Sequence, residues 1–121
     1  MITGYIKSSP LYPRLTNNPN TCIINTMKNI SKLNENGKVA VLYSPGFGAG
    51  WYTWNQTVPQ ILFDPAIVKF VEKEKWAELK TYVALKYPDI YSGGLDDLQV
   101  AWIPEGTEFR ISEYDGAESI E

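Results

Sequence analysis

The residues that most constrain the fold form a short apolar run rich in valine, Lys38–Tyr43. A turn signal, Asn34-Glu35-Asn36-Gly37, stands directly before it. A short apolar run bounded by turn residues is typical of a buried strand. The sequence therefore predicts a strand at about residues 38–43, which delivers the residues that follow to the edge of a sheet.

The segment that follows this strand, Ser44–Asn55, holds three glycines and four aromatic residues, and we call it the glycine–aromatic loop. Its glycines permit positive φ and close approach, so that consecutive backbone N–H groups can curve into an anion-binding nest. The spacing has neither the third glycine of the dinucleotide fingerprint nor the Gly-Lys ending of a P-loop. Two interpretations stay open: a ligand surface, or a tight loop whose glycines let Phe47, Trp51 and Trp54 fold into the core.

Two helices are predicted downstream of the loop. Asp64 can cap the first, and Pro65 suits its first position, because the N–H that proline lacks would have no helical partner there. The apolar residues that follow make two stripes that do not share one face of a continuous helix. Separate helices at about residues 65–73 and 75–87 fit this pattern, with Pro88 ending the second.

Two further strands are predicted at about residues 97–113. The first segment, Leu98–Ile103, is mostly apolar, and in the second, Glu108–Ile111, charged and apolar residues alternate. The short turn between the two segments predicts a hairpin. Together with the strand at about 38–43, they indicate an α+β fold, in which a small antiparallel or mixed sheet is packed by the two helices. A doubly wound parallel sheet is disfavoured, because no second strand–helix repeat follows the first.

With 121 residues, the chain is large enough for one domain and too short for two. Residues 1–26 contain three prolines and no acidic residue, and they show no periodic apolar pattern. We expect an extended or poorly ordered arm over residues 1–26 and a single α+β domain over residues 27–121. Met27 stands at this boundary, which leaves open whether the arm belongs to the natural protein.

The amino-acid composition restricts the kinds of catalytic and metal-binding sites that this chain can form. Histidine is absent, and Cys22 is the single cysteine, so histidine-based triads, Cys–His pairs and histidine-ligated zinc are excluded. The remaining candidates for acid–base catalysis or Mg²⁺ binding are carboxylates whose spacing matches no defensible motif, namely Asp96, Asp97, Glu113 and Asp115. We therefore expect no cofactor, no metal site and no catalytic residue, and we favour a role that is not enzymatic.

The chain has no apolar run that approaches the ~20 residues needed to span a membrane. Its first residues lack the continuous apolar segment of a secretory signal, and one cysteine cannot form an internal disulfide. These features predict a soluble cytoplasmic protein without a membrane partner.

Charge is distributed unevenly along the chain. The net charge is −3, but residues 89–121 carry nine acidic side chains and one basic side chain. Such a region repels nucleic-acid phosphates, so that direct binding of DNA or RNA is disfavoured. An acidic surface can instead meet a basic partner or serve only as a solubilising rim. The alternating charges at residues 72–75 can indicate a partner-binding helix, but they are more typical of a solvated helix face.

Arg110, Tyr114 and Asp115 lie in the second predicted strand and at its end. The planar guanidinium of Arg110 can hold a phosphate or carboxylate with two hydrogen bonds. A surface ion pair with Glu108 or Glu113 explains this residue as well. Asp115 is followed by glycine, and this pair is more typical of a turn than of a ligand site.

Three segments, Val39–Trp51, Leu62–Pro65 and Phe109–Gly116, together resemble a group of small uncharacterised proteins of bacteriophages and prophages. The resemblance covers about residues 38–121 and excludes the N-terminal arm. It implies a phage-type context, with the host cytosol as the location. It implies no activity and no site residues.

These patterns predict an accessory protein, without enzymatic activity, that binds a small and nucleotide-like ligand between the glycine–aromatic loop and the hairpin end. Aromatic rings would stack on a flat group, glycine N–H groups would meet an anion, and Arg110 would neutralise charge. The predicted ligand-binding residues are Gly46, Phe47, Gly48, Gly50, Trp51, Trp54, Arg110, Tyr114 and Asp115. The alternative is a protein-interaction module, in which exposed aromatic residues and the acidic C-terminal surface bind a host protein. The sequence leaves the oligomeric state open.

Overall fold

The computed structural model describes residues 30–47 and 50–121, together with the backbone of Tyr5–Lys7. Two short α-helices pack with two small antiparallel sheets, which confirms the predicted α+β class. The predicted arm, residues 1–26, lies outside the described residues except for the strand at Tyr5–Lys7. No helix in the described ranges is long and apolar enough to cross a membrane.

The first sheet contains β2 (Asn34–Glu35), β3 (Lys38–Tyr43) and β4 (Gln99–Pro104), with β3 in the middle. β3 has the bounds that its apolar run predicts. A two-residue turn at Asn36 and Gly37 joins β2 to β3, and both residues have positive φ, at 54° and 76°. Asn-Gly is the preferred pair for such a turn, because asparagine and glycine tolerate this backbone conformation at the lowest cost.

The second sheet contains β1 (Tyr5–Lys7), β5 (Glu108–Tyr114) and β6 (Ala117–Ile120), with β5 in the middle. Asp115 and Gly116 join β5 to β6 with φ values of 50° and 85°. The turn interpretation of Asp115 is therefore confirmed. The strand that follows it, β6, was not predicted.

The pairing of β4 and β5 corrects the predicted hairpin at about residues 97–113. Both strands form, and the Thr107 N–H donates to the Pro104 carbonyl at 3.1 Å in the turn between them. Among the described strands, however, β4 pairs with β3, whereas β5 pairs with β6 and β1. Both edges of β5 are paired, one with β6 across the two-residue turn at Asp115 and the other with β1, so that no edge is left for β4.

The helices are α1 (Pro65–Glu72) and α2 (Trp76–Lys86), and each end lies within one residue of its predicted position. α1 begins at the predicted cap, where the Asp64 carboxylate accepts from the Ala66 and Ile67 N–H groups at 2.9 and 3.3 Å. α1 ends at Glu72, and Glu74, which follows shortly after, has a φ of 56°. This left-handed residue turns the chain sharply, which accounts for two helices in place of one.

The core lies around β3, since all of Val39–Leu42 is at most 1% exposed. α1 contacts β3 and β4, and β6 also contacts β3. The largest fully buried side chains that complete the core are Trp51, Phe63, Ile61, Leu62, Ile67, Leu79 and Ile111. β3 is therefore enclosed on both faces, and the glycine–aromatic loop starts from the end of this buried strand.

Candidate functional site

The glycine–aromatic loop is fastened by Glu118, which lies in β6 and is 3% exposed. One carboxylate oxygen accepts the Ser44 N–H at 2.9 Å. The other accepts the N–H groups of Trp51 and Thr53 at 3.0 and 2.8 Å, and the Thr53 hydroxyl at 2.7 Å. The Glu118 N–H also donates to the Ser44 carbonyl at 2.8 Å. The loop thus gathers N–H groups around an anion, and that anion is a side chain of the protein itself.

The described glycines of this loop allow close packing. A Cβ on Gly50 would lie 2.3 Å from the indole of Trp54, and a Cβ on Gly46 would lie 2.6 Å from the Asp97 carboxylate. Real Cβ atoms do not approach other groups so closely, so both positions require glycine or a shift of the neighbour. Gly48, the third predicted glycine, lies outside the described residues.

The aromatic residues of the loop have three different environments. Trp51 is fully buried, and its indole N–H donates to the Ile61 carbonyl at 2.9 Å. Trp54 is 39% exposed and packs on Tyr91 with ring centroids 5.0 Å apart. Phe47 is 73% exposed. Trp51 is therefore a core residue, whereas Phe47 and Trp54 present surface to solvent.

The predicted residues of the second strand lie along β5 and in the turn that follows it. The Arg110 side chain pairs with Glu121, to which its Nε donates at 2.7 Å. This partner differs from the predicted Glu108 or Glu113, because β6 runs back beside β5 and brings Glu121 opposite Arg110. Tyr114 is exposed, and Asp115 forms the turn at the other end of β5.

A cleft of about 600 Å³ adjoins the glycine–aromatic loop, and we call it the acidic cleft. The loop supplies Pro45 and Gly46 to one wall. The remaining lining comes from the end of α1, the start of α2 and the residues that lead into β4. Four carboxylates line the cleft, those of Glu72, Glu74, Asp96 and Asp97, together with apolar Val71, Trp76, Leu98 and Val100. Its lining contains no lysine or arginine.

Two of these four carboxylates are engaged by neighbours. Asp96 pairs with Lys80 at 3.2 Å, and Glu72 accepts the indole N–H of Trp102 at 3.0 Å. Within the described ranges, the carboxylates of Glu74 and Asp97 make no hydrogen bond or ion pair. No three or more acidic, histidine or cysteine residues there are grouped to hold a metal ion. The cleft is thus suited to positively charged groups that arrive on a ligand or partner.

The acidic cleft joins residues that sequence reasoning kept apart. The charges at residues 72–75 were interpreted as a solvated helix face in preference to a partner-binding helix, and Asp96 and Asp97 were considered for acid–base catalysis or Mg²⁺ binding. The sharp turn at Glu74 brings the helix end to the residues before β4. The signal that could have suggested this was the rotation between the two apolar helix stripes, which already required a bend at that place.

A second buried carboxylate, Asp64, lies at the start of α1 and is also 3% exposed. One of its oxygens caps the helix, and the other accepts the hydroxyls of Tyr82 and Tyr87 at 2.8 and 2.6 Å. The ammonium of Lys86 lies 3.5 Å from that second oxygen. Asp64, Lys86 and Tyr87 border a smaller cleft of about 430 Å³. Their hydrogen-bonding groups are engaged with one another, so the network serves to hold α2 against the start of α1.

The pKa values of this network follow from its geometry. Burial raises the pKa of Asp64, but the hydrogen bonds from Tyr87 and Tyr82, the Ile67 N–H and the charge of Lys86 outweigh it and lower the pKa below its usual value. Burial, together with the bond to Asp64, raises the pKa of Tyr87 well above its usual value. The carboxylate therefore stays ionised, and the tyrosine hydroxyls stay protonated as donors.

Lys32 carries a further cation that faces inward. Its ammonium lies 4.8 Å from the centre of the Phe63 ring and has no hydrogen-bond partner in the described part of the chain. Burial lowers the pKa of Lys32, and the charge of Glu105 opposes this effect. Because the Lys32 ammonium is enclosed, it is not placed to meet an external anion.

No protein-family model, curated protein or solved structure matches this chain. The interpretation of the site therefore depends on its geometry and charge.

Proposed function

We propose that the protein is a binding module without enzymatic activity, which acts in the cytoplasm and recognises a basic segment of a partner protein in the acidic cleft. The observation that carries this proposal is the convergence of four carboxylates and an apolar lining in one cleft of about 600 Å³. The resemblance to phage and prophage proteins implies that the partner is a host protein.

Charge and shape support a basic partner in complementary ways. Exposed ion pairs contribute only about 0.2–1 kcal/mol each, but several charges of one sign in a concave site steer an oppositely charged partner and fix its orientation. Phe47 follows Gly46 directly, and its exposed ring supplies an apolar contact next to the cleft. Exposed aromatic residues of this kind often dominate the binding energy of protein interfaces.

The glycine–aromatic loop and the acidic cleft give less support to the binding of a nucleotide-like ligand. The backbone N–H groups of Ser44, Trp51 and Thr53 are bound to Glu118, and Trp51 has no exposed surface for stacking. The cleft beside the loop is acidic, so it would repel phosphate. These observations favour the protein-interaction alternative over the small-molecule proposal.

Titration of the protein with oligolysine, with oligoglutamate of equal length and with ATP tests the proposal. We expect binding of oligolysine only, and we expect this binding to weaken as salt rises from about 0.1 M to about 1 M, because the screening length falls from about 10 Å to about 3 Å. The double substitution Glu74→Gln and Asp97→Asn removes the two carboxylates without partners, and it should weaken oligolysine binding about tenfold.

Glu78→Gln is the matched control, because Glu78 is exposed on α2 and does not line the cleft. This variant should bind within about twofold of the original protein, since a lone surface charge contributes little. If the control and the double variant lost oligolysine binding equally, the loss would come from the change in net charge and not from the cleft. Tight binding of ATP with no binding of oligolysine would contradict the proposal.

A further inference from the structure

The strand β4 forms one edge of the first sheet. It pairs with β3 along its whole length, from Tyr43 opposite Gln99 to Lys38 opposite Pro104. In the part of the chain that the structure describes, no strand pairs with its other edge. Gln99 and Val100, at the start of this edge strand, also line the acidic cleft. The edge that no described strand pairs with and the cleft are therefore continuous.

The register of the sheet shows which backbone groups face outward. A two-residue turn makes Glu35 and Lys38 a hydrogen-bonded pair, and the Ala40 N–H donates to the Leu33 carbonyl at 3.0 Å. Alternate residues of β3 therefore point toward β2, and the residues between them point toward β4.

The β4 residues opposite those that point toward β4 are Gln99, Ala101 and Ile103. Their backbone N–H and C=O groups are hydrogen-bonded to β3. The N–H and C=O groups of Val100 and Trp102 consequently face away from the sheet. These two residues thus offer two N–H donors and two C=O acceptors, spaced so that an added parallel or antiparallel strand could bind them.

This edge lacks the features that usually prevent strand addition. Gln99–Ile103 contains no charged residue, and Val100–Ile103 is only half-buried. Natural edge strands are commonly protected by lysine, by an inward charge or by a bulge. Among the described residues of β4, the protective feature is Pro104 at the far end, which has no N–H to donate.

We propose that the basic segment binds in an extended conformation as an added strand, which pairs with Val100 and Trp102 and directs its basic side chains into the acidic cleft. The inference rests on the proposed function and names the mode of binding. A second copy of the chain is a poorer occupant, because residues 89–121 carry nine acidic side chains and one basic side chain, so that two such edges repel each other. A basic extended segment combines main-chain hydrogen bonds with complementary charge.

The probe is an acetylated and amidated peptide of alternating lysine and valine, about eight residues long, which suits one strand. A second peptide of the same sequence carries N-methyl groups on alternate residues and so loses the donors of one strand edge. The protein variant is Val100→Pro, which removes an outward N–H without removing a bond to β3, and the control is Glu78→Gln, which lies outside the cleft and the strand edge. We expect the methylated peptide and the proline variant each to weaken binding at least about tenfold, and the control variant to bind within about twofold.

Amide chemical shifts of the unaltered protein provide a measurement that does not depend on how the proline variant folds. On addition of the unmethylated peptide, the amides of Val100 and Trp102 should shift more than that of Ala101, which faces β3. Equal shifts along β4, or no loss with the methylated peptide, would overturn the added-strand mode.

The two proposals fail in different ways. If the double substitution Glu74→Gln and Asp97→Asn weakens peptide binding while Val100→Pro does not, the acidic cleft is the site and the added strand is wrong. If the peptide does not bind at all, the proposed function fails and the inference fails with it. Sedimentation that shows self-association, lost in Val100→Pro, would assign the edge to a second copy and overturn the inference.

Discussion

Two buried carboxylates, Glu118 and Asp64, are each 3% exposed, but they are held by different kinds of donor. Glu118 accepts three backbone N–H groups and one hydroxyl from the glycine–aromatic loop. Asp64 accepts two backbone N–H groups, two tyrosine hydroxyls and the ammonium of Lys86. Glu118 joins segments 65–74 residues apart, whereas the partners of Asp64 lie at most 23 residues away.

The difference shows how replaceable each carboxylate is. A hydroxyl can rotate and accept a hydrogen bond, so tyrosine partners can adapt to an amide in place of a carboxylate. A backbone N–H can only donate, and it points in a fixed direction. The site of Glu118 therefore requires an acceptor at both oxygens, while the outer half of the Asp64 site is more tolerant. We expect the glycine–aromatic loop to depend on one side chain more than α1 and α2 do.

Glu118→Gln should have the largest effect. The amide group of glutamine would face a backbone donor, either that of Ser44 or those of Trp51 and Thr53, and the charge-assisted bonds would be lost. We expect a decrease of about 3 kcal/mol in the free energy of unfolding, measured by urea titration. Glu78→Gln, on the exposed face of α2, should change it by less than about 0.5 kcal/mol. If Glu118→Gln lost no more unfolding free energy than the control, the claim that the loop depends on Glu118 would be wrong.

Asp64→Asn should be less severe, with a loss of about 2 kcal/mol near neutral pH, because asparagine can still cap α1 and the tyrosine hydroxyls can reverse. The pKa of Asp64 is lower in the folded protein than in the unfolded chain. The stabilisation is therefore fully present above the unfolded value of about 4, and it is lost as the pH falls through the folded value.

The difference in unfolding free energy between the original protein and Asp64→Asn should accordingly shrink below about pH 4. Urea titrations at a series of pH values measure it. A difference that grew at low pH would show that the carboxylate is not held in its ionised form by the tyrosines.

Removal of a single hydroxyl donor from each network sharpens the comparison. Thr53→Val and Tyr87→Phe each delete one hydrogen bond and little volume, and each should cost about 1–1.5 kcal/mol. Because the two hydroxyls share no partner, the double variant should show additive losses within about 0.5 kcal/mol. Tyr87→Phe should also reduce the part of the Asp64 contribution to the free energy of unfolding that is lost at low pH. Strong non-additivity in the unfolding free energies would indicate that the two networks are one.

Ser44→Ala should have the smallest effect. The backbone N–H and C=O of Ser44 both bind Glu118, but its buried hydroxyl has no hydrogen-bond partner among the described residues. Removal of an unsatisfied buried hydroxyl should be neutral or stabilise the protein by about 0.5 kcal/mol. A clear loss of thermal stability would mean that the hydroxyl, and not only the backbone, helps to hold the loop.

Local signals predicted much of the fold. The cap at Asp64 and Pro65 located α1, and the Asn-Gly and Asp-Gly turns lie where their backbone preferences place them. The strand at Lys38–Tyr43 was predicted from its apolar run and the turn signal before it. Each of these features is decided by residues within one turn or one strand, so that no knowledge of distant partners is needed.

The features that were missed depend on distant contacts. β6 is short and contains two polar residues among four, which gives no strand signal. Glu118 was therefore only one of nine acids in an acidic region, although it holds a loop that lies more than 60 residues earlier. The partner of β4 and the convergence of the acidic cleft are likewise fixed by the packing of the helices and sheets, which periodicity does not encode.

Hydrogen exchange of the loop amides tests the central claim, that Glu118 is the anion for which the glycine–aromatic loop is built. In the original protein, the amides of Ser44, Trp51 and Thr53 should exchange nearly as slowly as those of β3. In Glu118→Gln they should exchange at least about tenfold faster than the β3 amides, while the Ala66 and Ile67 amides keep their protection relative to β3. Loop amides that remain as protected as β3 in this variant would contradict the account.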